Sequence, residues 1–226
     1  MNSRTHILQN IRRALENKSY VTDNRENVDD VLNEKREKQK PASLKELVEL
    51  FKRELEAVSG EFVRVVSEQQ AAVHIEKIVR DQSENRLTVA GMGLADSVLA
   101  HVQDKMSIVR PKDVEPEKRA LTLAAITTSV VDVEFAIADS ATLVVPFNKI
   151  NSSLPHFLPE TVIALVRPAQ LLFDHFELFE KLDAESAKNM LLVTGPSRTA
   201  DIEKILILGA HGPKRLVVIF LENLYR

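Results

Sequence analysis

The sequence predicts an α/β fold in which a mostly parallel sheet is flanked by helices. From Ser43 onward, short β-rich apolar runs alternate with helical patterns, an order that implies crossover connections and parallel strands. Several of these runs are apolar at nearly every position, which is typical of strands covered on both faces. The chain has 226 residues, 44% of them hydrophobic and 28% charged, and this is enough for a sizeable core.

Composition excludes several classes of function. The net charge is −3, so the chain lacks the basic excess with which nucleic-acid binders neutralise phosphates. It has no cysteine, which excludes disulfides, a thiolate nucleophile, a cysteine-bound cluster and sulfur-bound zinc. We therefore predict no metal site, and the cofactor stays unknown. The N-terminus lacks a secretion signal and no apolar run reaches membrane-spanning length, so we expect a cytoplasmic protein without a membrane span.

The N-terminal part differs from the rest of the chain. Residues 3–17 have apolar side chains at helical spacing, which predicts a short amphipathic helix that docks on its own domain or on a neighbouring subunit. Residues 18–41 carry many charges of both signs and few large apolar side chains, as a solvated linker does. We divide the chain into an N-terminal helix with a charged linker, residues 1–42, and an α/β domain, residues 43–226. Whether the chain forms a homo-oligomer stays open.

The α/β domain begins with two capping boxes. Ser43-Leu44-Lys45-Glu46 opens a helix, and Ser67-Glu68-Gln69-Gln70 opens another that extends to about Arg80. A third predicted helix follows Gly91-Met92-Gly93 and continues through His101. Two more are expected at Ala169–Lys181 and Thr199–Leu208. The predicted strands are Glu61–Val66, Arg86–Ala90, Met106–Val109, Leu143–Val145, Thr161–Val166, Leu191–Thr194 and Leu216–Leu221.

The strongest site candidate follows the strand that ends at Thr194. Ligands of open α/β sheets bind outside the carboxyl ends of the strands. Here a Gly195-Pro196 turn is predicted to lead into a helix N-terminus, whose free N–H groups bind anions. Ser197 or Thr199 would cap the helix, and Arg198 would grip a carboxylate or phosphate. Plain capping, with Asp201 and Glu203 in the first turn, is the alternative.

Two further glycine-containing loops flank predicted helices. Gly209 fits a helix C-cap and Gly212-Pro213 a turn, while His211 is either an acid–base group or structural. Gly91 and Gly93 permit close approach to a phosphate, but the third glycine of a dinucleotide motif is missing. A nicotinamide site is therefore poorly supported, and a turn for helix packing is the alternative.

A fourth candidate lies between two apolar segments. Asp139, Ser140 and Thr142 combine a carboxyl with hydroxyls and are the residues here that we expect to face a pocket. Glu134 and Asp139 would be paired carboxylates if they lie close together. Solvated turn residues are an equally good interpretation.

These segments resemble the motifs of LUD domain proteins, and among them the C-type proteins of lactate utilisation. The resemblance lies in Ala136–Leu143, in Ser153-Leu154-Pro155-His156, in Gly195–Glu203 and in Gly209–Pro213. It covers most of the chain from about residue 43. Ala141 departs from the family pattern, which has glycine there, and its methyl group would narrow the space for any ligand.

The resemblance implies a fold similar to that of sugar-phosphate isomerases and CoA transferases. It implies a component of a system that oxidises L-lactate to pyruvate, with iron–sulfur and cysteine-rich subunits as partners. A cysteine-free chain would be an accessory subunit without its own redox centre. The alternative is an enzyme or sensor that acts on a small phosphorylated or carboxylated metabolite at the C-terminal edge of the sheet. The resemblance assigns no catalytic residues, so whether the chain is an enzyme stays uncertain.

Overall fold

The structure is a computed structural model that describes residues 34, 36, 40–91, 93–102, 104–147, 153–182, 189–200, 206–208 and 212–222. For residues 198–200 and 206–208 it describes only the backbone. The chain divides into two compact units, residues 1–40 and 41–226, and the fold below is that of the second. The predicted helix at 3–17 and most of the charged linker lie outside the described residues. The proposed division at residue 42 stays a prediction.

The described residues of the second unit form twelve strands and six α-helices. The strands are β1 Glu61–Val65, β2 Arg86–Ala90, β3 Ser107–Val109, β4 Thr128–Asp132, β5 Phe135–Ile137, β6 Thr142–Pro146, β7 Thr161–Val166, β8 Leu171–Leu172, β9 Met190–Thr194, β10 Arg198–Ala200, β11 Leu206–Leu208 and β12 Arg215–Leu221. The helices are α1 Leu44–Ala57, α2 Glu68–Asp81, α3 Leu94–Leu99, α4 Pro116–Ala124, α5 Leu154–Phe157 and α6 His175–Lys181.

Six strands form the main sheet in the order β1-β12-β7-β4-β2-β3, and every pair is parallel. This confirms the predicted α/β fold with a mostly parallel sheet. Because the strands are parallel, their first residues share one edge, which we call the amino edge, and their last residues share the carboxyl edge. Glu61, Thr161 and Arg215 begin strands at the amino edge, whereas Ala90 and Asp132 end strands at the carboxyl edge.

Alternation along the strands sends side chains to two cores. In β12, Val217 and Ile219 pack with α2 and α3 on one face. Their neighbours Val218 and Phe220 pack on the other face with α1 and with a second sheet. Full coverage of both faces accounts for the nearly continuous apolarity of these strands.

The second sheet has the order β8-β5-β6-β9. It is mainly antiparallel, so the strands predicted at Leu143–Val145 and Leu191–Thr194 do not belong to the parallel sheet. β6 is apolar because it is covered on both sides, whereas β9 is covered on one side and has Leu192 exposed on the other. Leu143 faces the main sheet, whereas Val144 packs with Leu178 of α6 on the outside.

The first two helices begin at the predicted capping boxes. The Ser43 hydroxyl accepts a hydrogen bond from the Glu46 N–H at 3.2 Å, and the Ser67 hydroxyl accepts one from the Gln70 N–H at 3.2 Å. These contacts satisfy N–H groups that have no partner within the helix.

Two helix predictions are wrong. In place of a helix at Ala169–Lys181, a 3-10 turn at Pro168–Gln170 and strand β8 precede α6, which begins only after Asp174 caps it. In place of a helix at Thr199–Leu208, β10 and β11 pair as antiparallel strands. Isoleucine recurs through this segment, and such β-branched residues favour strands.

Within the described part of the chain, no helix has the length and apolar character that crossing a membrane requires.

Candidate functional site

A tight turn joins β5 to β6 and contains Asp139, Ser140 and Ala141. Ala141 has a φ of 51°, in the left-handed region, which costs an L-residue about 1–2 kcal/mol. Its side chain is fully buried in the core between the two sheets. The methyl group of Ala141 therefore lies in the core, and its main consequence is backbone strain at this turn.

Asp139 is exposed, yet its surroundings raise the pKa of its carboxyl. Partial burial is the main cause, and the carboxylates of Asp174 and Glu54 add to it. A hydrogen bond from the Ser140 hydroxyl and the nearby His175 oppose the rise. Asp139 is thus held more readily in its protonated form than an isolated aspartic acid.

A series of hydroxyl groups continues from Ser140 into β9. The Thr142 hydroxyl donates to Ser140 Oγ at 3.0 Å, and Thr142 Oγ1 lies 2.6 Å from Thr194 Oγ1. Each hydroxyl has one proton, so Thr194 donates to Thr142 when Thr142 donates to Ser140. The hydrogen bonds therefore all run in one direction, from Thr194 toward Asp139.

Gly195 follows Thr194 in a conformation that glycine alone adopts easily. Its φ is +75°, and a Cβ there would lie 2.8 Å from Val58 Cγ2 and 3.1 Å from the Val58 carbonyl oxygen. Val58 follows the last residue of α1. The absence of a side chain at Gly195 thus lets β9 approach the end of α1.

The chain after Gly195 lies against the start of β12. The Ser197 N–H donates to the Pro213 carbonyl at 2.8 Å, and a Cβ on Gly212 would lie 3.3 Å from Ser197 Cβ. Pro213 stands two residues before β12 begins, so this contact lies at the amino edge of the main sheet.

These segments line a solvent-open cavity of about 550 Å³. One wall is Ala57 and Val58, another is Leu191–Ser197, and a third is Gly212-Pro213, with His156 and Phe157 completing the lining. A volume of this size falls in the range of ligand sites. Thr194 lines the cavity and is also the end of the hydroxyl series, so it connects the cavity to Asp139.

His156 is the most deeply buried polar residue of this lining. It is 3% exposed, and among the described residues its Nε2 has no hydrogen-bond partner. Burial lowers the pKa of His156 to about 4, so the imidazole is neutral at pH 7. It can then donate or accept a hydrogen bond but supplies no positive charge.

Comparison with known proteins identifies the family. The sequence model of the LUD domain matches residues 48–221. The chain belongs to the LUD domain family.

Relatives agree with this family, and a solved structure shares the fold. A protein named lactate utilization protein C from Oceanobacillus iheyensis is 26% identical over 203 residues, which cover 81% of this chain and 83% of that protein. A protein of the same name from Bacillus pumilus is 30% identical over 101 residues, 42% of each chain, so this chain matches less than half of that relative's length. The crystal structure of a DUF162 family protein from Deinococcus radiodurans has the same fold, with a TM-score of 0.60, 17% identity, and coverage of 80% of this chain and 99% of that one.

Segments that resemble LUD motifs lie at or beside the cavity, although they are far apart in the chain. Pairing of β6 with β9 brings Ser140 and Thr142 to Thr194, which lines the cavity. His156 and Gly212-Pro213 contribute other parts of the lining. Of the predicted ligand residues, Gly195, Ser197 and Gly212 line the cavity, and Ser140 and Thr142 connect to it through Thr194.

The predicted location of this site is wrong. Thr194 does end a strand, but β9 belongs to the second sheet, and its end lies at the amino edge of the main sheet rather than at the carboxyl edge. No helix begins after Gly195-Pro196, since β10 starts at Arg198. The helix-dipole basis for an anion site is therefore wrong too. The side chains of Arg198 and Thr199, and the residues Asp201 and His211, lie outside the described part, so their roles stay predictions.

The loop at Gly91 and Gly93 lies at the opposite edge of the main sheet, the carboxyl edge. There Asp132 accepts a hydrogen bond from the Ala95 N–H at 2.7 Å and another from the Gly93 N–H. A Cβ on Gly91, whose φ is +129°, would lie 2.4 Å from Asp132 Oδ2. The glycines make room for the chain's own carboxylate, which favours the packing alternative over a phosphate site.

Asp132 is a residue that the sequence analysis missed. Burial raises the pKa of its carboxyl, with a further contribution from Asp96, while the two backbone hydrogen bonds and Arg167 oppose the rise. The sequence signal that could have identified Asp132 was a single acidic residue at the end of an apolar strand. His156 and Thr194 were also missed as site residues, although His156 lies in a segment that carried the resemblance and Thr194 directly precedes another.

Glu134 and Asp139 do not form a carboxylate pair. They flank the three-residue strand β5 on opposite sides, and Glu134 is not among the groups that shift the pKa of Asp139. No group of three histidine, aspartate or glutamate side chains within the described ranges is placed to hold a metal ion.

Proposed function

We propose that this LUD domain chain is a component of a system that oxidises L-lactate to pyruvate, and that it is an accessory subunit that binds a ligand. One observation carries the proposal: three of the four segments that resemble the family's motifs line a single cavity, and the fourth is hydrogen-bonded to its wall through Thr142 and Thr194. The names of the relatives from Oceanobacillus iheyensis and Bacillus pumilus supply the pathway. Convergence of segments so distant in sequence is what a shared ligand would require.

The proposal divides the chemistry between subunits. Oxidation of lactate to pyruvate releases two electrons and two protons, so the system needs an electron acceptor. This chain has no cysteine and so no thiolate to hold an iron–sulfur cluster. We place the redox centre on iron–sulfur and cysteine-rich partner subunits, with this chain in the cytoplasm beside them.

Gene deletion tests the role in lactate utilisation. We expect a strain without this gene to grow normally on glucose and poorly on L-lactate, with growth on L-lactate restored by the wild-type chain. A tagged chain should co-purify with cysteine-rich and iron–sulfur proteins from lactate-grown cells. Normal growth of the deletion strain on L-lactate would overturn the role, and purification without partners would overturn the accessory subunit.

The hydroxyl series favours a second function, an enzyme or sensor for a small phosphorylated or carboxylated metabolite. It connects a carboxyl of raised pKa to the cavity wall, an arrangement that suits proton movement to or from a bound ligand. In this function Arg198 holds the anion. Arg198→Ala should then weaken binding of the phosphorylated or carboxylated ligand by roughly 10–100-fold, since a charge-assisted contact contributes about 1.5–3 kcal/mol. Unfolding of that variant would instead make Arg198 structural.

A further inference from the structure

One buried polar atom of the cavity lining has no hydrogen-bond partner within the described structure. His156 Nε2 is buried and, in the described structure, has no hydrogen-bond partner; the same is true of Thr88 Oγ1 and Ser129 Oγ. Buried polar groups are almost always paired, so each exception calls for a partner. Of these three residues His156 is the one that lines the cavity, so its unpaired nitrogen points to a group that the protein alone does not supply.

Strand register places Thr88 and Ser129 on the same side of the main sheet. Thr88 and Ser129 are paired across β2 and β4, and their neighbours Val89 and Val130 belong to the core on the α2 and α3 side. By alternation Thr88 and Ser129 point to the opposite face. α5, which carries His156, packs against both strands. His156 also shares the cavity with β9, which lies on that opposite face.

The lining restricts the kind of group that would bind. Every described side chain of the lining is uncharged at neutral pH, His156 included, and the two hydroxyls are those of Thr194 and Ser197. Burying an ionised group against His156, the buried polar side chain of this lining, costs several kcal/mol unless the group is paired. The part of a ligand that contacts His156 is therefore uncharged and forms hydrogen bonds.

Cavity size restricts the ligand further. About 550 Å³ is several times the volume of lactate, a molecule of six non-hydrogen atoms, and lies in the range that encloses a drug-sized molecule. Lactate alone would leave most of the lining without contacts.

We propose that His156 is the ligand-recognising residue of this cavity and that it binds an uncharged hydrogen-bonding group, such as an amide or ring carbonyl, of a metabolite much larger than lactate. The inference rests on the proposed function only in that the cavity holds a ligand. It differs from the anion-binding alternative because it assigns the contact with His156 to a neutral group.

Matched probes that differ by one phosphate test this ligand class. We would measure the melting temperature of the full chain with riboflavin and FMN, pantetheine and 4′-phosphopantetheine, and adenosine and AMP. A ligand at a hundredfold excess over its Kd stabilises the fold measurably. We expect at least one uncharged probe to raise the melting temperature, and its phosphorylated counterpart to raise it by the same amount or less. The proposal is overturned if no uncharged probe acts, or if the phosphorylated member of the active pair acts more strongly.

Substitution of His156 tests the residue. His156→Leu should abolish the shift while the unliganded protein melts at the same temperature or roughly 2–4 °C higher, because an unpaired buried nitrogen is removed. His156→Phe, an apolar ring of similar shape, serves if the leucine variant does not fold. His74→Leu, at an exposed histidine of α2, is the control and should keep the full shift. A full shift in a folded His156 variant, or failure of both apolar variants to fold, overturns the role.

Growth on L-lactate is not part of this experiment, so the two proposals fail separately. A chain that is required for growth on lactate but ignores every uncharged probe retains the proposed function and loses the ligand class. A chain that binds an uncharged probe through His156 but is dispensable for growth does the reverse.

Discussion

The hydroxyl oxygens of Thr142 and Thr194 lie 2.6 Å apart across the β6–β9 pair, although 52 residues separate them in the chain. This contact joins the turn that contains Asp139 to the loop that contains Gly195. It brings together two segments that resemble family motifs, Ala136–Leu143 and the segment that begins at Gly195. It also fixes the direction of the hydrogen bonds, since Thr142 donates onward to Ser140.

A double-mutant cycle measures this contact. Thr142 is 2% exposed, so loss of its partner leaves a buried hydroxyl less well paired. We expect Thr142→Val and Thr194→Val each to lower the free energy of unfolding, and the pair to show a coupling of about 1 kcal/mol by urea denaturation. Additivity within about 0.3 kcal/mol would show that the two hydroxyls do not interact.

The turn at Gly195 should not tolerate a side chain. Gly195→Ala places a Cβ 2.8 Å from Val58 Cγ2 in a left-handed backbone conformation, so we expect a loss of about 2–3 kcal/mol in unfolding free energy. Gly212→Ala, whose Cβ meets Ser197 Cβ at 3.3 Å without a positive φ, is the matched control and should cost less. Equal losses in the two variants would contradict the close contact between Gly195 and Val58.

Asp132 should make stability depend on pH in a definite direction. Burial raises the pKa of this carboxyl in the folded state, so its contribution to stability is present below the unfolded pKa, about 3.9, and is lost as pH rises through the folded pKa. Asp132→Asn keeps an oxygen that accepts the Ala95 N–H and cannot ionise. Relative to wild type, the variant should gain stability between pH 3 and pH 7. A constant difference across that range would contradict the raised pKa.

His156 should produce the opposite dependence. Burial lowers the pKa of its imidazole to about 4, from about 6.5 in the unfolded chain. The unfolded state therefore takes up the proton first as pH falls, and stability that is fully present above pH 6.5 is lost toward pH 4. We expect wild type to lose about 3 kcal/mol relative to His156→Leu over this window. Parallel pH profiles of the two proteins would show that His156 is solvated.

The sequence predicted those features that depend on local pattern. The apolar runs at Thr161–Val166 and Leu216–Leu221 predicted strands, and both lie in the centre of the parallel sheet. Ser43 and Ser67 predicted helix starts, and a helix begins after each of them. The helix prediction for Thr199–Leu208 was wrong because the apolar spacing of this segment fits a helix as well as a strand. Pairing between β10 and β11 decides in favour of strands. Periodicity alone does not separate these cases.

The site depended on contacts that no local pattern contains. The residues of each motif were predicted, but their meeting at the amino edge follows from the place of β9 in a second sheet. The hydrogen bond between Asp132 and Ala95 spans 37 residues, so the sequence could not show that the Gly91 loop is occupied by a side chain of the same protein. The sequence did not predict that His156 is buried, because apolar neighbours such as Leu154 and Phe157 occur beside both buried and exposed histidines.

The most direct test of the cavity as the functional site is to fill it. Leu192 lines the cavity at its exposed side, 48% exposed, so Leu192→Trp can enter the cavity without disturbing the core. The chain has no other tryptophan, so blue-shifted fluorescence reports that the indole is enclosed. Leu121→Trp, at a position 79% exposed on α4, is the control. With both variants folded, we predict that a strain carrying Leu192→Trp fails to grow on L-lactate while the control strain grows. Wild-type growth with an enclosed indole at residue 192 would contradict the account.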